Sequence, residues 1–368
     1  MANRMEQRFE TNQSKMTHAD SRGRFYRRPV MLLLLAGLTA CAAQTGQAPA
    51  RPAAGATAAQ PGAAPAVPAV PDQDFDTWLR AFKTEALAKG IARRTLDGAF
   101  AGVTPNPRVV ELDRRQPEGR ITFSRYYENT VPPRIERGRR MLAENAEVLS
   151  RVAGTYGVPS RVVVALWGVE TSFGVNQGKF SIVRSLATLA YEGRRAEFFR
   201  GELLNALTIM DQEGFSSEKM VGSWAGAMGQ CQFMPSSYLK WAVDFDGDGH
   251  RDIWATRADV FASAANYLKQ NGWVPGEGWG RRVAIPANLP RGLTGLETRK
   301  TLAEWQALGV RLPGGADLPA AEMTASLINP GDEGNHWLVY ENFRVIMRWN
   351  RSTYFAMSVL SLADEIGR

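Results

Sequence analysis

The sequence predicts a mainly α fold of the α+β kind. A helical N-terminal portion leads into a helical core, and a small β-rich insertion precedes a C-terminal helix. Three observations carry this. From Phe75 onward, apolar residues recur at helical spacing, with Phe75, Trp78, Leu79, Phe82, Ala86 and Leu87 on one face. Between about 274 and 340 the chain turns rich in Gly and Pro, with short β-like runs. Helical spacing then returns over 352–366.

In chain order, the spacing predicts further helices at about 91–100, 134–155, 159–171, 195–212, 216–223, 235–242 and 258–271. Asn145 and Ser160 read as helix caps, and Gly174 as a stop. Residues 282–285 and 325–328 read as short strands. Residues 336–347 alternate in strand fashion. No internal repeat is present.

Everything before Phe75 reads as targeting and tether. Arg24, Arg27 and Arg28 precede an apolar run from Val30 to Leu38, too short to span a bilayer. Thr39, Ala40 and Cys41 follow, so 1–41 has the layout of a secretory signal. Leu38-Thr39-Ala40-Cys41 resembles the bacterial lipoprotein box, which implies lipidation at Cys41. Ala42 after it implies the outer membrane, with the chain in the periplasm. Residues 42–71 are almost all Ala, Pro, Gly, Gln and Thr. They bury too little apolar surface to offset chain entropy and read as a tether.

Of 44 Lys and Arg against 37 Asp and Glu, seven bases and three acids fall within 1–40. That leaves 37 against 34, a near-neutral chain without the basic stripe that nucleic acid requires. The 44% of hydrophobic residues is enough for a substantial core. The two cysteines, Cys41 and Cys231, lie in unrelated contexts and are expected not to pair.

The chemistry concentrates in residues 163–174, VVALWGVETSFG, where an apolar helix ends on one carboxylate, Glu170. Among Trp167, Phe173 and valines that carboxylate would be poorly solvated and its pKa raised. A raised pKa keeps a carboxylic acid protonated near neutrality, ready to protonate a glycosidic oxygen. Spacing alone leaves open an ordinary solvated Glu at a helix end.

Glu170-Thr-Ser-Phe-Gly174 resembles the first signature of lytic murein transglycosylases. Gly226-Ala-Met-Gly-Gln-Cys-Gln-Phe-Met-Pro-Ser-Ser-Tyr238, Ala265-Asn-Tyr-Leu268 and Arg348-Trp-Asn-Arg-Ser-Thr-Tyr354 resemble the following three, in order, over most of 74–368. Arg-Arg-Ala-Glu-Phe-Phe at 194–199 narrows the resemblance to the membrane-bound lytic murein transglycosylase B group. The resemblance implies a lysozyme-like catalytic domain over 72–368. It also implies cleavage of the MurNAc–GlcNAc bond of peptidoglycan with 1,6-anhydroMurNAc ends, Glu170 acting as acid and then base, and no cofactor for the chemistry. Ser223 and Gln232 are expected to hydrogen-bond the sugars. Phe233 and Tyr267 are expected to offer flat faces, and Asn350 to line the groove. Arg194 and Arg195 would pair with peptide carboxylates or stay on a solvated helix face. Gly226 and Gly229 would let a sugar approach the backbone, and Met228 and Met234 fill gaps. Trp349 stands where the family commonly has Tyr, so no hydroxyl is available there. Asp211 and Glu213 are weak candidates for a second carboxylate. A lysozyme-type hydrolase and a noncatalytic peptidoglycan-binding scaffold remain as alternatives. Expected partners are glycan strands and, through the lipid anchor, the membrane; cell-wall machinery proteins are further candidates.

Asp244-Phe-Asp246-Gly-Asp248-Gly249-His250-Arg-Asp252 follows the start of an EF-hand loop. Asp244, Asp246 and Asp248 align as ligands, His250 would give its backbone carbonyl, and Gly249 sits at the turn. The twelfth position is Ala255, and the resemblance implies Asp259 in its stead. A structural Ca²⁺ over 244–259 is expected.

Overall fold

The computed structural model describes residues 74–115, 121–192, 194–331 and 334–368. The signal segment, Cys41 and the tether therefore lie outside the described residues.

The expected mainly helical architecture is what forms. Helix Ser160–Thr171 is its centre: every residue from Val162 to Thr171 is buried. A helix apolar on all sides must be surrounded, and Ile135–Glu144, Ala146–Tyr156, Arg257–Gln270 and Thr353–Ile366 pack against it. Helices Ile182–Glu192 and Ala196–Glu213 pair beside this core. Phe75–Ala88 opens the domain, with the Asp74 carboxylate accepting from the Thr77 N–H at 2.9 Å.

Several elements differ from the sequence reading. The helix expected over 134–155 is two, Ile135–Glu144 and Ala146–Tyr156, broken at Asn145. Asn145 is no side-chain cap. Its Nδ2 donates back to the Met141 carbonyl at 2.8 Å, and its Oδ1 accepts from Arg257 Nη1 at 3.0 Å. Ser160 begins its helix after Pro159 and spends its hydroxyl on the Leu149 carbonyl at 3.2 Å. The helix expected at 216–223 is a turn followed by strand Val221–Gly222, which pairs antiparallel with Phe180–Ser181. Residues 336–347 split into strand His336–Val339 and helix Glu341–Trp349. Helices Pro107–Arg114, Phe123–Thr130, Ile182–Glu192 and Leu302–Ala307 join those expected.

The β-rich insertion is an antiparallel four-stranded sheet in the order Gly280–Val283, His336–Val339, Thr324–Ile328, Lys300–Thr301. It closes over a small core of its own around Trp305, Leu327, Leu338 and Tyr340. Trp279 ties it to the helices. Its ring stacks on Trp337 at 5.0 Å, and its Nε1–H donates to Asp364 of the C-terminal helix at 2.8 Å.

Candidate active site

Glu170 ends the central helix and is 3% exposed. The chain then makes three left-handed residues in succession, Ser172, Phe173 and Gly174. Two of them are not glycine, so the turn must be held. Arg134 Nε donates to the Gly168 carbonyl at 2.9 Å, and Thr171 Oγ1 accepts from the Gly174 N–H at 3.0 Å. Gln230 braces the helix from outside: its Oε1 accepts from Trp167 Nε1 at 2.8 Å and its Nε2 donates to the Trp254 carbonyl at 2.8 Å. The Glu170 carboxyl thus projects from a fixed helix end.

Its pocket is lined mainly by hydrocarbon and sulfur, from Val163, Leu166, Trp167, Val260, Phe261, Ala264 and Cys231, with Gln230 and Trp349 completing it. Burial pushes its pKa up to about 8, against the lowering effect of one hydrogen bond. That bond comes from Trp349, whose Nε1–H donates to Glu170 Oε1 at 2.7 Å. Trp349 is the functional residue that the sequence reading missed. It offers no hydroxyl, yet its indole supplies a donor. Tyr126, on helix Phe123–Thr130, lies within electrostatic range of the same carboxyl. Burial first, and then the Glu170 charge, raise its pKa to about 12. Cys231 is buried, and its thiol donates to the Val260 carbonyl at 3.2 Å.

The other expected site residues divide. Tyr267 and Phe233 do join Trp349, with ring centroids 4.7 and 5.2 Å from it, but both rings are buried. Phe233 backs the indole and is no open platform. Tyr267 donates its hydroxyl to the Arg348 carbonyl at 2.7 Å. Asn350 ends the Trp349 helix and accepts from the Ser352 N–H at 3.1 Å. Gln232, with φ of 53°, spends its Nε2 on the Gly229 and Gln177 carbonyls at 2.9 and 3.1 Å. Ser223 Oγ accepts from the Ala227 N–H at 3.0 Å and shapes the turn beneath.

Arg194 and Arg195 lie elsewhere, both paired with Asp113 of helix Pro107–Arg114, at 3.1 and 2.8 Å. The carboxylate they meet belongs to the chain itself, and their cleft shares no lining residue with that of Glu170. Gly226 and Gly229 have left-handed φ, and a Cβ would meet Leu186 at 2.5 Å and the Ile253 carbonyl at 2.6 Å. Close packing of the protein on itself requires glycine at both. Neither weak candidate for a second acid reaches Glu170. Asp211 accepts from the Thr95 hydroxyl, and Glu213 pairs with Arg251.

A single desolvated carboxyl at the end of an apolar helix, steadied by an indole donor, is chemically suited to proton transfer. The sequence pattern of the transglycosylase SLT domain matches residues 74–364. The chain belongs to the transglycosylase SLT domain family. It is 37% identical over 241 residues to membrane-bound lytic murein transglycosylase B of Escherichia coli (strain K12). That match spans 64% of this chain and 64% of the relative, just under two thirds of the relative's length. SltB3 from Pseudomonas aeruginosa, solved in complex with NAG-anhNAM-pentapeptide, superposes with a TM-score of 0.78 at 46% identity, covering 80% of each chain. The Escherichia coli lytic transglycosylase Slt35 in complex with calcium gives a TM-score of 0.69 at 34% identity, over 78% of this chain and 92% of that one.

This SLT domain carries a second cluster in its acidic loop. Carboxylate oxygens of Asp244, Asp246 and Asp259 lie within 4.8 Å of one another. Three hard oxygens at that spacing suit Ca²⁺. Asp259, from helix Arg257–Gln270, is fully buried and accepts from the Phe245 and Asp252 N–H groups, each at 2.8 Å. Burial, then the nearby Asp246 and Asp244, raise its pKa to about 6. The resemblance implies Asp259 in place of the twelfth loop residue, and its carboxylate lies beside those of Asp244 and Asp246. Asp248 is not in the cluster: its Oδ1 accepts from the His250 N–H at 2.8 Å.

Proposed function

We propose that this protein is a lytic transglycosylase that cleaves the MurNAc–GlcNAc β-1,4 bond of peptidoglycan and leaves 1,6-anhydroMurNAc ends. The observation that carries the reading is Glu170: buried, with a pKa near 8, and bonded to an indole N–H. At neutral pH it is mostly a carboxylic acid. It donates its proton to the bridging oxygen as the C1–O bond breaks, and the sugar's own 2-acetamido group stabilises C1. Glu170, now a carboxylate, removes the proton from the MurNAc C6 hydroxyl, whose oxygen attacks C1 and closes the ring. Glu170 ends protonated, as it began. The nucleophile is intramolecular, so positioning takes the place of a bimolecular attack by water.

Trp349 fits both halves of this cycle. Its N–H donates and cannot accept. It therefore holds Oε1 as an acceptor in either state, leaves Oε2 to carry the proton, and stabilises the carboxylate formed midway. Asp244, Asp246 and Asp259 would hold a structural Ca²⁺, which would tie the loop to helix Arg257–Gln270 and steady Tyr267 behind Trp349. The arrangement at 1–71 supports a lipoprotein signal with Cys41 as anchor and a tether, and hence a periplasmic enzyme at the outer membrane.

The test is the mass of the products. Purified peptidoglycan digested by the chain should yield muropeptides one water lighter than reducing ones, and none with Glu170→Gln. Reducing ends would mean a hydrolase, and wall binding without cleavage a scaffold.

A further inference from the structure

Arg134 stands immediately before helix Ile135–Glu144 and is half-buried. A guanidinium taken out of water is normally answered by a carboxylate. Among the described residues, the side-chain partners of Arg134 are all neutral oxygens, and they come from two separate helix ends. Nη1 donates to the Asn129 and Thr130 carbonyls at 3.2 and 2.8 Å, in the last turn of helix Phe123–Thr130. Nε donates to the Gly168 carbonyl at 2.9 Å and Nη2 to the Ser172 hydroxyl at 3.3 Å, at the end of helix Ser160–Thr171. The last turn of a helix carries its negative end, so one cation set at two such ends stabilises both. These two helices carry Tyr126 and Glu170, which feel each other electrostatically. Ser172 has a left-handed φ of 51°, a conformation that a residue other than glycine keeps only where its surroundings hold it.

We propose that Arg134 is a positioning residue for the reaction: its fork locks the end of the Glu170 helix to the Tyr126 helix, and so fixes where the carboxyl stands against the sugar. This role rests on the proposed transglycosylase chemistry. Lysine cannot take it over, because one ammonium on a flexible stem does not span two helix ends as a rigid planar fork does. With the lock gone, the helix end shifts and water reaches the carboxyl. Desolvation then weakens, and the Glu170 pKa falls from about 8 toward the ordinary glutamate value. Losing the Trp349 donor acts in the opposite direction. Tyr126 and Cys231 feel the same charge, but burial raises both far above this range, so neither titrates within it. The remaining charges facing this helix end, Arg137 over the Phe173 ring and Arg257 over the Trp167 ring, are constant.

The test compares the full-length chain, in mild detergent, with its Arg134→Met, Arg134→Lys and Ser172→Gly forms on solubilised glycan strands. A misplacement of about 1 Å costs ~100-fold in rate, so Arg134→Met should lower kcat by about tenfold or more and leave KM nearly unchanged. The alkaline limb of its kcat/KM profile should move down by ~0.5 pH unit or more. Arg134→Lys should recover little of kcat. Ser172→Gly suits the left-handed turn and deletes one acceptor of the fork. It should lower kcat a few-fold, and less than additively with Arg134→Met. It also decides the matter if Arg134→Met does not fold: an unchanged kcat and limb in Ser172→Gly would overturn the lock. So would full rescue by lysine, or a kcat loss in Arg134→Met that equals its unfolded fraction with the limb unmoved. Carbon NMR of the Glu170 carboxyl reads the same pKa shift without turnover. A downward shift in a chain that does not cleave glycan keeps the lock and discards the transglycosylase reading. Cleavage to anhydro ends, with neither shift nor loss of kcat in the variants, does the reverse.

Discussion

At the residue scale, Glu170 makes measurable pH predictions. In the proposed mechanism its acid form starts the reaction, so kcat/KM should fall as pH rises through about 8. Trp349→Phe removes the donor that favours the charged form. A hydrogen bond to a charged group contributes ~1.5–3 kcal/mol, so the alkaline limb should move up by ~1–2 pH units, with a fall in kcat. Trp349→Tyr should restore much of both. A pH profile unchanged in Trp349→Phe would contradict the role assigned to the indole. Stability should respond too. The folded carboxyl keeps its proton up to about 8, whereas an unfolded Glu loses it near 4.3. The group's contribution to stability is therefore full at acid pH and declines as pH rises between those values. Glutamine does not titrate, so Glu170→Gln should gain stability over the parent across that window, by at most ~5 kcal/mol. Denaturant melts at pH 4 and pH 8 measure the difference.

At the element scale, much was legible because packing there follows spacing. Helix Ser160–Thr171 was read to within a residue, and its unbroken apolar run also foretold the desolvation of Glu170. Local patterns failed where distant groups decide. Residues 336–347 alternate, but Asn342, Phe343, Val345 and Ile346 are buried on one helical face. Asn342 bonds the Val274 and Glu277 carbonyls across to the preceding loop. The 134–155 helix breaks at Asn145 because that side chain serves Arg257, 112 residues away. Trp349 was illegible for the same reason, being 179 residues from Glu170. The acidic loop gives this scale its prediction. A ligand at a hundred times its Kd stabilises by ~2.7 kcal/mol, and ~1 kcal/mol raises Tm by ~2–4 °C for 150–250 residues. Saturating Ca²⁺ should therefore raise Tm by several degrees, and Asp259→Asn should abolish most of the rise. An equal rise in Asp259→Asn would place the ion elsewhere.

For the whole molecule, the described residues hold two cores, one among the helices and one inside the insertion. The bond from Trp279 to Asp364 and the Trp279–Trp337 stack join them, so they should melt together. Trp305 is fully buried in the smaller core, and Trp305→Ala should cost ~3–5 kcal/mol while leaving one cooperative transition. Two separated transitions would mean that the insertion folds independently. The sequence made the insertion visible through its Gly and Pro content. It could not show that the Glu341–Trp349 helix, directly after it, would carry the indole to Glu170.

The proposed mechanism requires one buried carboxyl, Glu170, to be neutral at neutral pH and to serve as both acid and base. The most direct measurement is a carbon NMR titration of the protein labelled at its Glu side-chain carboxyls, with Glu170→Gln used to assign the resonance. A Glu170 signal that titrates near pH 8, well clear of the other glutamates, is the expected result. Titration at or below pH 4.5 would show a carboxylate already ionised under working conditions, and would contradict its role as the proton donor.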